Sequence, residues 1–578
     1  MILTGTGSSS ISSTRFTDFE TLNVNGGTWN TLDPVAFVNG VNVNTGGTLN
    51  LGDNLTGDVV VNTGGTLSSG PSVTITGDLT NNGTLEPGGD GTIGTINVTG
   101  DLVLGSSGTL IIDASASGAD AIVVTGTATV SGDLVVDPDG SLAFGTVYHV
   151  VTATGGVTGT FDNHIALDNL VYAVDYSDPN RVSVIVSQDL LNPAGPGLDL
   201  SRNQQAVAEN FTALGTVVTT GNLLAAGNTL ATLMTTDVLA FKRALDSLHL
   251  EFHDSTTQSA LNNTQKFSNG MLGAMNSCDV QERSLTDPVL PCHGRAPGSS
   301  QLWVQQSGGY LDHEPAYGNI LYDAWSWQTQ IGLDTQVTDM MRVGISGAYG
   351  QTTNEVDNLG EAKFSSWDVG AYGRLDLVEV DGMKLFVGGT GSYSFSNHEN
   401  KRELRPFNEV ANSDFDSTSF SGSILAGYAT EYRGTEYSGS VGYRYVAAEI
   451  EGFTETGAGG LNLIVQDQDI EHSAIFAEFS IGQRIRLSED TYLTPQVTVG
   501  YETRSGDIDR SITSRFQCAP ASVASFTVYG QEPDQFFTVA GSLDYQVATG
   551  MKSFLSAKTG LSDDTMTYDL AAGLRLEF

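Results

Sequence analysis

The last thirteen residues of the chain, MTYDLAAGLRLEF, alternate between apolar and mainly polar positions. The apolar and aromatic set is Met566, Tyr568, Leu570, Ala572, Leu574, Leu576 and Phe578. The positions between them include Asp569, Arg575 and Glu577. A period of two places the two sets on opposite faces of a β-strand. A soluble edge strand has this pattern, and so does a strand between lipid and a water-filled lumen.

The same period returns in about twelve runs after residue 300. The runs lie near 301–310, 324–337, 341–353, 364–378, 383–396, 417–433, 435–449, 472–487, 491–504, 534–548, 551–562 and 566–578. Short connections near 338–340, 380–382, 434–435, 488–490 and 549–550 alternate with mostly long ones, such as 397–416, 450–471 and 505–533. Outer-membrane barrels have short periplasmic turns and long external loops. We therefore predict a 12-stranded antiparallel transmembrane β-barrel, because a soluble sheet would leave a large apolar face uncovered.

Residues 25–190 repeat with a period near 20. The phrases NGGTWN, NTGGTLN, NTGGTLS and NNGTLEP place a glycine before threonine at 27, 47, 65 and 83. A second phrase, TGDVVV, TGDLTN, TGDLVL and SGDLVV, lies between them. One set of short strands per repeat predicts a right-handed parallel β-helix with one coil per ~20 residues. A β-sandwich with evenly spaced strands is the alternative.

The pattern changes after Val186. NPAGPG at 192–197 breaks regular structure, and helix-forming residues follow at 202–214 and 229–275. The stretch 254–268 is polar nearly all round, which suits a helix inside a hydrated pore, or else an exposed linker helix. The predicted fold is thus all-β with a short α linker: a β-helix over 1–190, a linker with a pore helix over 191–290, and a barrel over 291–578.

Composition narrows the classes of function. The net charge of −41 disfavours nucleic acid as a partner. Cys278 and Cys292 could close a short loop or remain free thiols, and neither they nor Cys518 has the spacing of a zinc site. The first residues, MILTGTGSSS, have no basic or apolar segment typical of a signal peptide. Either the protein is cytosolic, or translation starts upstream of residue 1.

Candidate chemistry in the first third is sparse. GDNL at 52–55 resembles a hydrolase phrase but has Asn54 where the nucleophilic serine should be. His149 and His164 are the only histidines before residue 249, and both adjoin strand-like stretches, which favours structural roles. GGDGTIGTI at 88–96 partly matches a calcium-binding nonapeptide, but one partial copy is better explained as a turn. No cofactor or metal site is predicted, and the segment is interpreted as a scaffold or binding surface.

This order of parts resembles a monomeric autotransporter of type V secretion, with a pertactin-like β-helical passenger, a helix and a C-terminal outer-membrane barrel. The coils in 87–163, the segment RNQQAVAENF at 202–211, the strand LWVQQSGGY at 302–310 and the terminal LRLEF carry the resemblance. Departures are a short passenger, whose upstream coils could be missing, and Leu248-His249-Leu250-Glu251 where the family often has Leu-Ser-Gly-Glu.

The resemblance implies a protein in the outer membrane of a Gram-negative bacterium that displays or secretes its own N-terminal passenger as an adhesin or cell-surface interaction protein. The alternative is a secreted protease or esterase whose catalytic region lies upstream or is missing. A simple porin is disfavoured, because the helices would plug the lumen. The implied partners are outer-membrane lipid, the barrel assembly machinery, periplasmic chaperones and surface ligands on a host or neighbouring cell, with the protein itself a monomer.

Candidate site residues follow from the strand alternation and from the resemblance. The polar positions of the barrel strands predict lumen-facing side chains at Arg374, Arg484, Arg486, Arg575 and Glu478. The resemblance makes the C-terminal residues Leu574, Leu576 and Phe578 the recognition signal for barrel assembly. Some members of the family cut themselves in the pore helix by cyclisation of an asparagine side chain, and Asn262 and Asn263 lie in the corresponding region. The residues flanking this pair do not match the family's cleavage phrase closely.

Overall fold

A computed structural model describes residues 1–578 except 141, 168–169, 192–197, 219, 277–296, 315–319, 381–382, 489–490, 532 and 549. Contacts divide the described chain into two compact units. The first contains Met1–Asp199, Ala208–Phe241 and Ala519–Val523, and the second contains Leu200–Val207, Lys242–Cys518 and Ala524–Phe578. The predicted breaker at 192–197, Cys278 and Cys292 lie outside the described residues, whereas Cys518 is an exposed free thiol.

The first unit is a solenoid of short, mostly parallel strands arranged in three sheets within its described part. The first sheet contains Ile2–Leu3, Leu22–Val24, Val41–Val43, Val59–Val61, Leu79–Asn81, Leu102–Leu104, Ala128–Val130 and Val157–Gly159. The second contains Ser8–Ile11, Gly27–Thr31, Gly47–Leu51, Thr66–Ser69, Thr84–Glu86, Thr109–Ser115, Asp133–Pro138 and Asn163–Ala166, with Gly118–Ala119 beside it. The third contains Val35–Ala36, Leu55–Thr56, Ser72–Thr76, Thr95–Val98, Ala121–Val124, Val147–Ala153, Arg181–Gln188 and Leu170–Asp175.

The repeated sequence phrases explain this stacking. In the Gly-Thr-Leu phrase, Leu49 pairs with Leu67 and Leu67 with Leu85, and all three side chains are buried in the core. The glycine before this threonine is required, because a Cβ on Gly65 would lie 2.5 Å from the carbonyl oxygen of Val43 in the previous coil. The predicted solenoid of parallel strands is confirmed, and the β-sandwich alternative is wrong.

The Thr-Gly-Asp phrase forms a column of hydrogen bonds between coils. The Asp58 carboxylate accepts from the Asp78 backbone N–H at 2.9 Å, and the Asp78 carboxylate accepts from the Asp101 N–H at 2.8 Å. The Asp101 carboxylate accepts in turn from the N–H of Thr127 at 2.7 Å. Each aspartate therefore satisfies a turn donor in the next coil, which explains why the phrase recurs.

Four helices follow within the described residues: α1 (Arg202–Gly215), α2 (Gly221–Thr236), α3 (Val238–Leu248) and α4 (Glu251–Met275). Helix α4 belongs entirely to the second unit. Among the residues that the structure describes, no helix is both long enough and apolar enough to cross a membrane.

The second unit contains a closed antiparallel barrel, in which we count twelve strands over the described residues. They are Ser300–His313, Tyr322–Gln336, Met341–Val356, Gly360–Val380, Met383–Leu404, Glu409–Tyr432, Thr435–Ile450, Gln468–Gln483, Tyr492–Gly506, Gln535–Ala548, Met551–Leu561 and Thr565–Glu577. The short strand Ile485–Arg486 pairs beside Tyr492–Gly506. The ring closes where the first strand pairs with the last, with Leu302 opposite Leu576. The predicted barrel is therefore confirmed.

The strand alternation separates an apolar outer face from a mainly polar inner face. Ile424, Trp367 and Leu570 are 68%, 65% and 62% exposed, whereas Asp368 and Gln328 are 1% exposed. An apolar band on the outside with a polar interior is the arrangement of outer-membrane barrels. The alternation in the sequence thus has its physical origin in lipid on one side of each strand and a polar lumen on the other.

The long connections hold more structure than predicted. Strands Met383–Leu404 and Glu409–Tyr432 continue through most of 397–416, so the loop predicted there is wrong and is a β-hairpin. The loops at 450–471 and 505–533 contribute a four-stranded antiparallel sheet, counted over their described residues, which we call the outer sheet. Its strands are Phe453–Thr454, Leu463–Val465, Asp509–Phe516 and Phe526–Gln531, and Gly459–Leu461 forms a short 3₁₀ helix.

Candidate functional site in the barrel lumen

Helix α4 lies inside the barrel. Its 25 residues span roughly 38 Å at the α-helical rise, longer than the ~30 Å hydrocarbon core of a bilayer. Its polar residues contact inward-facing side chains on widely separated strands, since Asn263 reaches Asp368 and Lys266 reaches Asp569. A helix with polar residues on every side is therefore stable here because the polar lumen supplies partners for all of its faces.

One side of α4 packs closely against the barrel wall. The Asn263 amide donates to the hydroxyl of Ser366 at 2.6 Å and to the carboxylate of Asp368 at 3.3 Å, and its oxygen accepts from Gln328 at 3.2 Å. Five residues further along α4, the Ser268 hydroxyl lies 2.9 Å from that of Thr390. These side chains are buried, so each contact replaces a hydrogen bond to water and fixes the rotation of the helix.

At the end with the short turns, glycines make room for α4. A Cβ on Gly370 would lie 2.9 Å from the terminal atoms of Met271, and a Cβ on Gly388 would lie 2.7 Å from the terminal methyl of Met275. Both methionines are fully buried. Beside them lies Trp303, whose indole N–H donates to the hydroxyl of Tyr372 at 2.7 Å. The wall and the helix are therefore shaped to each other by small residues on the strands.

The opposite side of α4 faces a cavity of about 570 Å³. Lys266 forms an ion pair with Asp569 at 2.9 Å across part of it, and the Gln265 amide donates to Glu502 at 3.1 Å. Glu502 also accepts from Arg444 at 3.0 Å and from Arg504 at 2.7 Å. The lumen therefore contains a helix anchored on one side and a charged space on the other.

The other end of α4 is held by a buried charged cluster. The Glu455 carboxylate, in the loop of the outer sheet, accepts from Arg402 at 2.9 Å and 2.5 Å and lies 3.3 Å from the His253 ring of α4. Burial by itself would raise the pKa of Glu455, but the Arg402 guanidinium and the hydrogen bond to His253 outweigh it and hold this pKa at about 2. Arg402 also donates to the carbonyl oxygen of Ser247 in α3. One carboxylate thus joins the outer sheet, a barrel strand and the helix.

A second buried ion pair joins α4 to the outer sheet. Arg510 donates to both carboxylate oxygens of Asp254, at 2.7 Å and 2.8 Å. The Asn203 side chain in α1 donates to the carbonyl of Tyr529 and accepts from its N–H, both at 2.8 Å, as a neighbouring strand would. The Arg202 guanidinium lies 3.2 Å from the centre of the Tyr529 ring. The outer sheet therefore binds the first turns of both α1 and α4.

The residues predicted for the lumen occupy different positions. Arg374, Arg484, Arg575 and Glu478 line the cavity. Arg486 is instead exposed in the short strand Ile485–Arg486, and its Nε donates to the carbonyl oxygen of Ser488 at 3.0 Å. Arg486 therefore lies close to a turn and outside the cavity lining, but its strand partner Tyr492 lines the cavity, so its position on the lumen side stays a prediction.

The C-terminal residues and the asparagine pair are placed as follows. Phe578, Leu576 and Leu574 are all exposed on the outer face, and the backbone of Phe578 exchanges two hydrogen bonds with Ser300. The Asn262 side chain faces the cavity, and its oxygen accepts from Gln258 at 3.2 Å. Their roles in assembly and cleavage stay predictions.

Sequence reasoning missed the side chains that hold the helix. Asp254 and Lys266 lay within the polar stretch predicted for the pore, but their partners Arg510 and Asp569 are distant in sequence and nothing local signals the pairing. In the first unit, His149 Nδ1 lies 2.9 Å from the Ser183 hydroxyl. Ser183 is buried, and among the described residues no carboxylate contacts the His149 ring.

Metal binding is not indicated by the side chains that the structure describes. Among them there is no group of three or more histidine, cysteine, aspartate or glutamate residues arranged to hold an ion.

The closed barrel, with an apolar outer face and a polar lumen, defines the class: an integral outer-membrane β-barrel of a Gram-negative bacterium. Residues 302–558 match the model of the family described as Autotransporter beta-domain. The C-terminal barrel of the chain is thus an autotransporter β-domain. None of the curated proteins matches it.

Three solved structures are similar to this chain. The translocator domain of autotransporter NalP from Neisseria meningitidis is 15% identical, with 56% of this chain and 98% of that chain covered and a TM-score of 0.43. The β domain of the Bordetella autotransporter BrkA is 15% identical, with 48% and 100% covered and a TM-score of 0.37. The transport unit of autotransporter AIDA-I from Escherichia coli is 12% identical, with 55% and 98% covered and a TM-score of 0.37.

Proposed function

We propose that this protein displays its own N-terminal segment on the cell surface and keeps it attached through α4. The observation that carries the proposal is the helix fixed in the lumen by Asn263, Lys266 and the two buried ion pairs of Asp254 and Glu455. A free N-terminal segment would require α4 to leave this site, or the chain to be cut within α4 or before it. The predicted boundaries at 190 and 290 are part of the proposal: a displayed segment, a linker with the pore helix, and the barrel.

The direction of display follows from the barrel's two ends. The first barrel strand begins at Ser300, the last ends at Glu577, and the two strands pair with each other. Ser300 and Glu577 therefore lie at the end of the barrel with the short turns, which in this class faces the periplasm. The outer sheet then faces outside, where α4 begins. The N-terminal segment therefore leaves the lumen on the outer side.

The displayed segment is proposed to act as an adhesin or other cell-surface interaction module. A solenoid presents long, flat sheet faces suited to binding extended partners on a host or neighbouring cell. The competing proposal is a secreted protease or esterase with its catalytic region outside the sequence given. The His149–Ser183 pair offers that alternative little support, because the serine is buried and no carboxylate of the described chain contacts the ring.

Retention of α4 is proposed over self-cleavage at Asn262 and Asn263. The amide nitrogen and the oxygen of Asn263 both form hydrogen bonds with residues of the barrel wall, which restricts rotation of the side chain. The mass of the protein purified from outer membranes tests this point. A full-length mass supports the tether, and two fragments that separate between residues 258 and 268 would show cleavage.

The proposal also names partners in assembly. Membrane lipid surrounds the apolar outer face, and we propose that periplasmic chaperones and the barrel assembly machinery deliver the barrel, with Leu574, Leu576 and Phe578 as the recognition signal. One copy encloses its own helix within a closed barrel, which favours a monomer.

Two epitope tags on the full chain, expressed with a functional signal peptide, test the display. One is inserted between the exposed residues Ala116 and Ser117, and the matched tag between the exposed residues Asp339 and Met340 of a short turn. On intact cells, antibody should label the first tag and not the second, whereas both should be labelled after permeabilisation. Labelling of neither tag on intact cells would refute display.

A further inference from the structure

Charge is divided unevenly along this chain. Residues 1–199 contain 20 acidic residues and only two basic ones, Arg15 and Arg181. The whole chain has 66 acidic and 25 basic residues. The N-terminal segment is thus acidic along its entire length, with about one carboxylate in every ten residues. In an extended chain these charges remain fully exposed to whatever surface the segment passes.

The cavity beside α4 has the opposite charge. Its lining contains eight of the chain's 25 basic residues: Lys266, Arg374, Arg444, Arg484, Arg504, Lys552, Lys558 and Arg575. Its acidic residues are Glu436, Glu478, Glu502, Asp544 and Asp569. The described lining therefore has a net charge of +3 in a protein whose net charge is −41. We call the strand side of this lining, opposite α4, the cationic wall.

The wall's positive charges are spread along the lumen and do not form one cluster. Arg444 and Arg504 lie at one level, because both pair in register with Ala474 on the strand between them. Lys558 is level with Asp569, and Lys552 is level with Arg575 near the short turns. Lys552 and Lys558 alone are about 20 Å apart at the rise of a β-strand. A chain passing along this wall would meet a cation at each of these three levels.

Ion pairs with acids just outside the lining offset part of this charge. Arg374 pairs with Asp376 at 2.8 Å and Arg484 with Glu431 at 3.4 Å, which reduces +3 to +1. At the level of Ala474, Arg444 and Arg504 both pair with one carboxylate, that of Glu502. The contact between Lys558 and Glu478 is long, at 3.9 Å, and both side chains are partly exposed to the cavity. A charged cleft with low-dielectric walls concentrates the field of such groups.

We propose that the cationic wall is the surface along which the acidic segment 1–199 passes, unfolded, during export. This inference rests on the proposed function. Attraction spread over many weak charge pairs speeds entry and lets the chain slide without holding any one residue, as electrostatic attraction does in other encounters. On this proposal the two sides of α4 differ in function: the closely packed side retains the helix, and the open side leaves space for the passing segment.

The test is the rate at which the N-terminal segment reaches the cell surface. In K552E/K558E the net charge of the lining changes from +3 to −1. Pulse-labelled protein is followed by the time at which added protease can cleave residues 1–199 on intact cells. We expect export to be slower by about threefold or more, in the range of electrostatic effects on association rates, with a larger difference in low-salt medium.

Three controls separate charge from folding. K552R/K558R preserves the charges and should export at the wild-type rate. K363E/K401E makes the same change in net charge at two exposed residues outside the cavity and should also have no effect. Heat-modifiable migration of each variant shows that the barrel has assembled.

A change in the segment itself tests the same charge pairing from the other side. D18N/D90N/D139N removes three exposed acids from residues 1–199. In that background, K552E/K558E should slow export less than it does in the wild-type chain.

An assembled K552E/K558E barrel that exports at the wild-type rate would overturn the inference and leave the proposed function intact. A wild-type segment that never becomes accessible would instead overturn the proposed function. An unchanged export rate together with lost anion selectivity of the barrel in planar bilayers would show that the wall attracts small anions only, which also contradicts the inference.

Discussion

Glu455 provides the sharpest test of how the outer sheet holds α4. In Glu455→Gln the side chain keeps its size and one oxygen but loses its charge. Arg402, which is 1% exposed, then remains buried without its counter-charge, and the hydrogen bond from the Leu463 N–H, 2.9 Å from the carboxylate, is weakened. The variant therefore perturbs the outer sheet and the start of α4 without removing any apolar contact.

The pKa of Glu455 gives the expected magnitude. Folding lowers this pKa from 4.5 to about 2, because the charge of Arg402 and the hydrogen bond from His253 outweigh the effect of burial. A shift of that size corresponds to roughly 3 kcal/mol of stability. Since the folded pKa is lowered, the stability is fully present above the unfolded pKa and is lost as the pH falls from about 4.5 towards 2. Removing one partner of a buried ion pair typically costs about 3–5 kcal/mol, which agrees.

Hydrogen exchange in the full chain, reconstituted in lipid, measures this effect locally. At pH 7, amides in 453–465 should exchange about 100-fold faster in Glu455→Gln, because each 1.4 kcal/mol is a factor of ten. Amides in the middle of α4 and in the barrel strands should be unchanged. The matched control is Glu451→Gln, an exposed glutamate in the same loop, where we expect less than about a threefold change.

Equal exchange in Glu455→Gln and Glu451→Gln would refute the assignment of Glu455 as a buried anchor. Faster exchange throughout the barrel would refute a local role and would indicate that the cluster stabilises the whole unit.

Three further predictions concern other parts of the chain. Burial raises the pKa of Asp120 in the solenoid to about 7, so the folded state binds a proton that the unfolded state releases, and stability should fall as the pH rises from about 4 to about 7. Residues 1–199 of the full chain should therefore resist protease better at pH 5 than at pH 8. Equal resistance at the two pH values would contradict this. Gly370→Val should displace Met271 and expose α4 to protease, at a cost of about 1–3 kcal/mol. Gly541→Val should not, because a Cβ at that position meets nothing within 4 Å. Identical digestion patterns of the two variants would show that Gly370 does not position the helix. Deletion of Phe578 should reduce the amount of heat-modifiable barrel in outer membranes while Phe578→Tyr should not, and normal assembly of the deletion would refute its role as a signal.

The barrel strands could be predicted from one sequence because each has lipid on one face and a polar lumen on the other. Leu570 and Ile424 are exposed to lipid for that reason, and the alternation records it directly. The alternation of apolar and polar residues does not predict the strand at 397–404, where the hairpin continues beyond the apolar band. There both faces are polar or partly covered by other loops, so the residues of a regular strand no longer alternate.

The solenoid could be predicted because its turns repeat in sequence. Positions such as Gly65 and Asp78 serve the same contact in each coil, so the same residue types return. The anchors of α4 have no such repetition. Arg402 and Glu455 are 53 residues apart, and Asp254 and Arg510 are 256 apart, so only the folded barrel brings them together. Alternation also predicts Arg486 on the lumen side, where its strand partner Tyr492 lines the cavity, but it cannot show that the side chain lies beyond the cavity at a turn.

Protease treatment of intact cells tests the central claim most directly. The full chain, expressed with a functional signal peptide, should fractionate with outer membranes. Added protease should remove the signal of antibodies against residues 1–190, while a heat-modifiable C-terminal fragment that contains the barrel and α4 survives. Recovery of both regions in the soluble fraction, or an N-terminal segment protected until the outer membrane is permeabilised, would contradict the account of a surface-displayed segment held by a helix in the barrel.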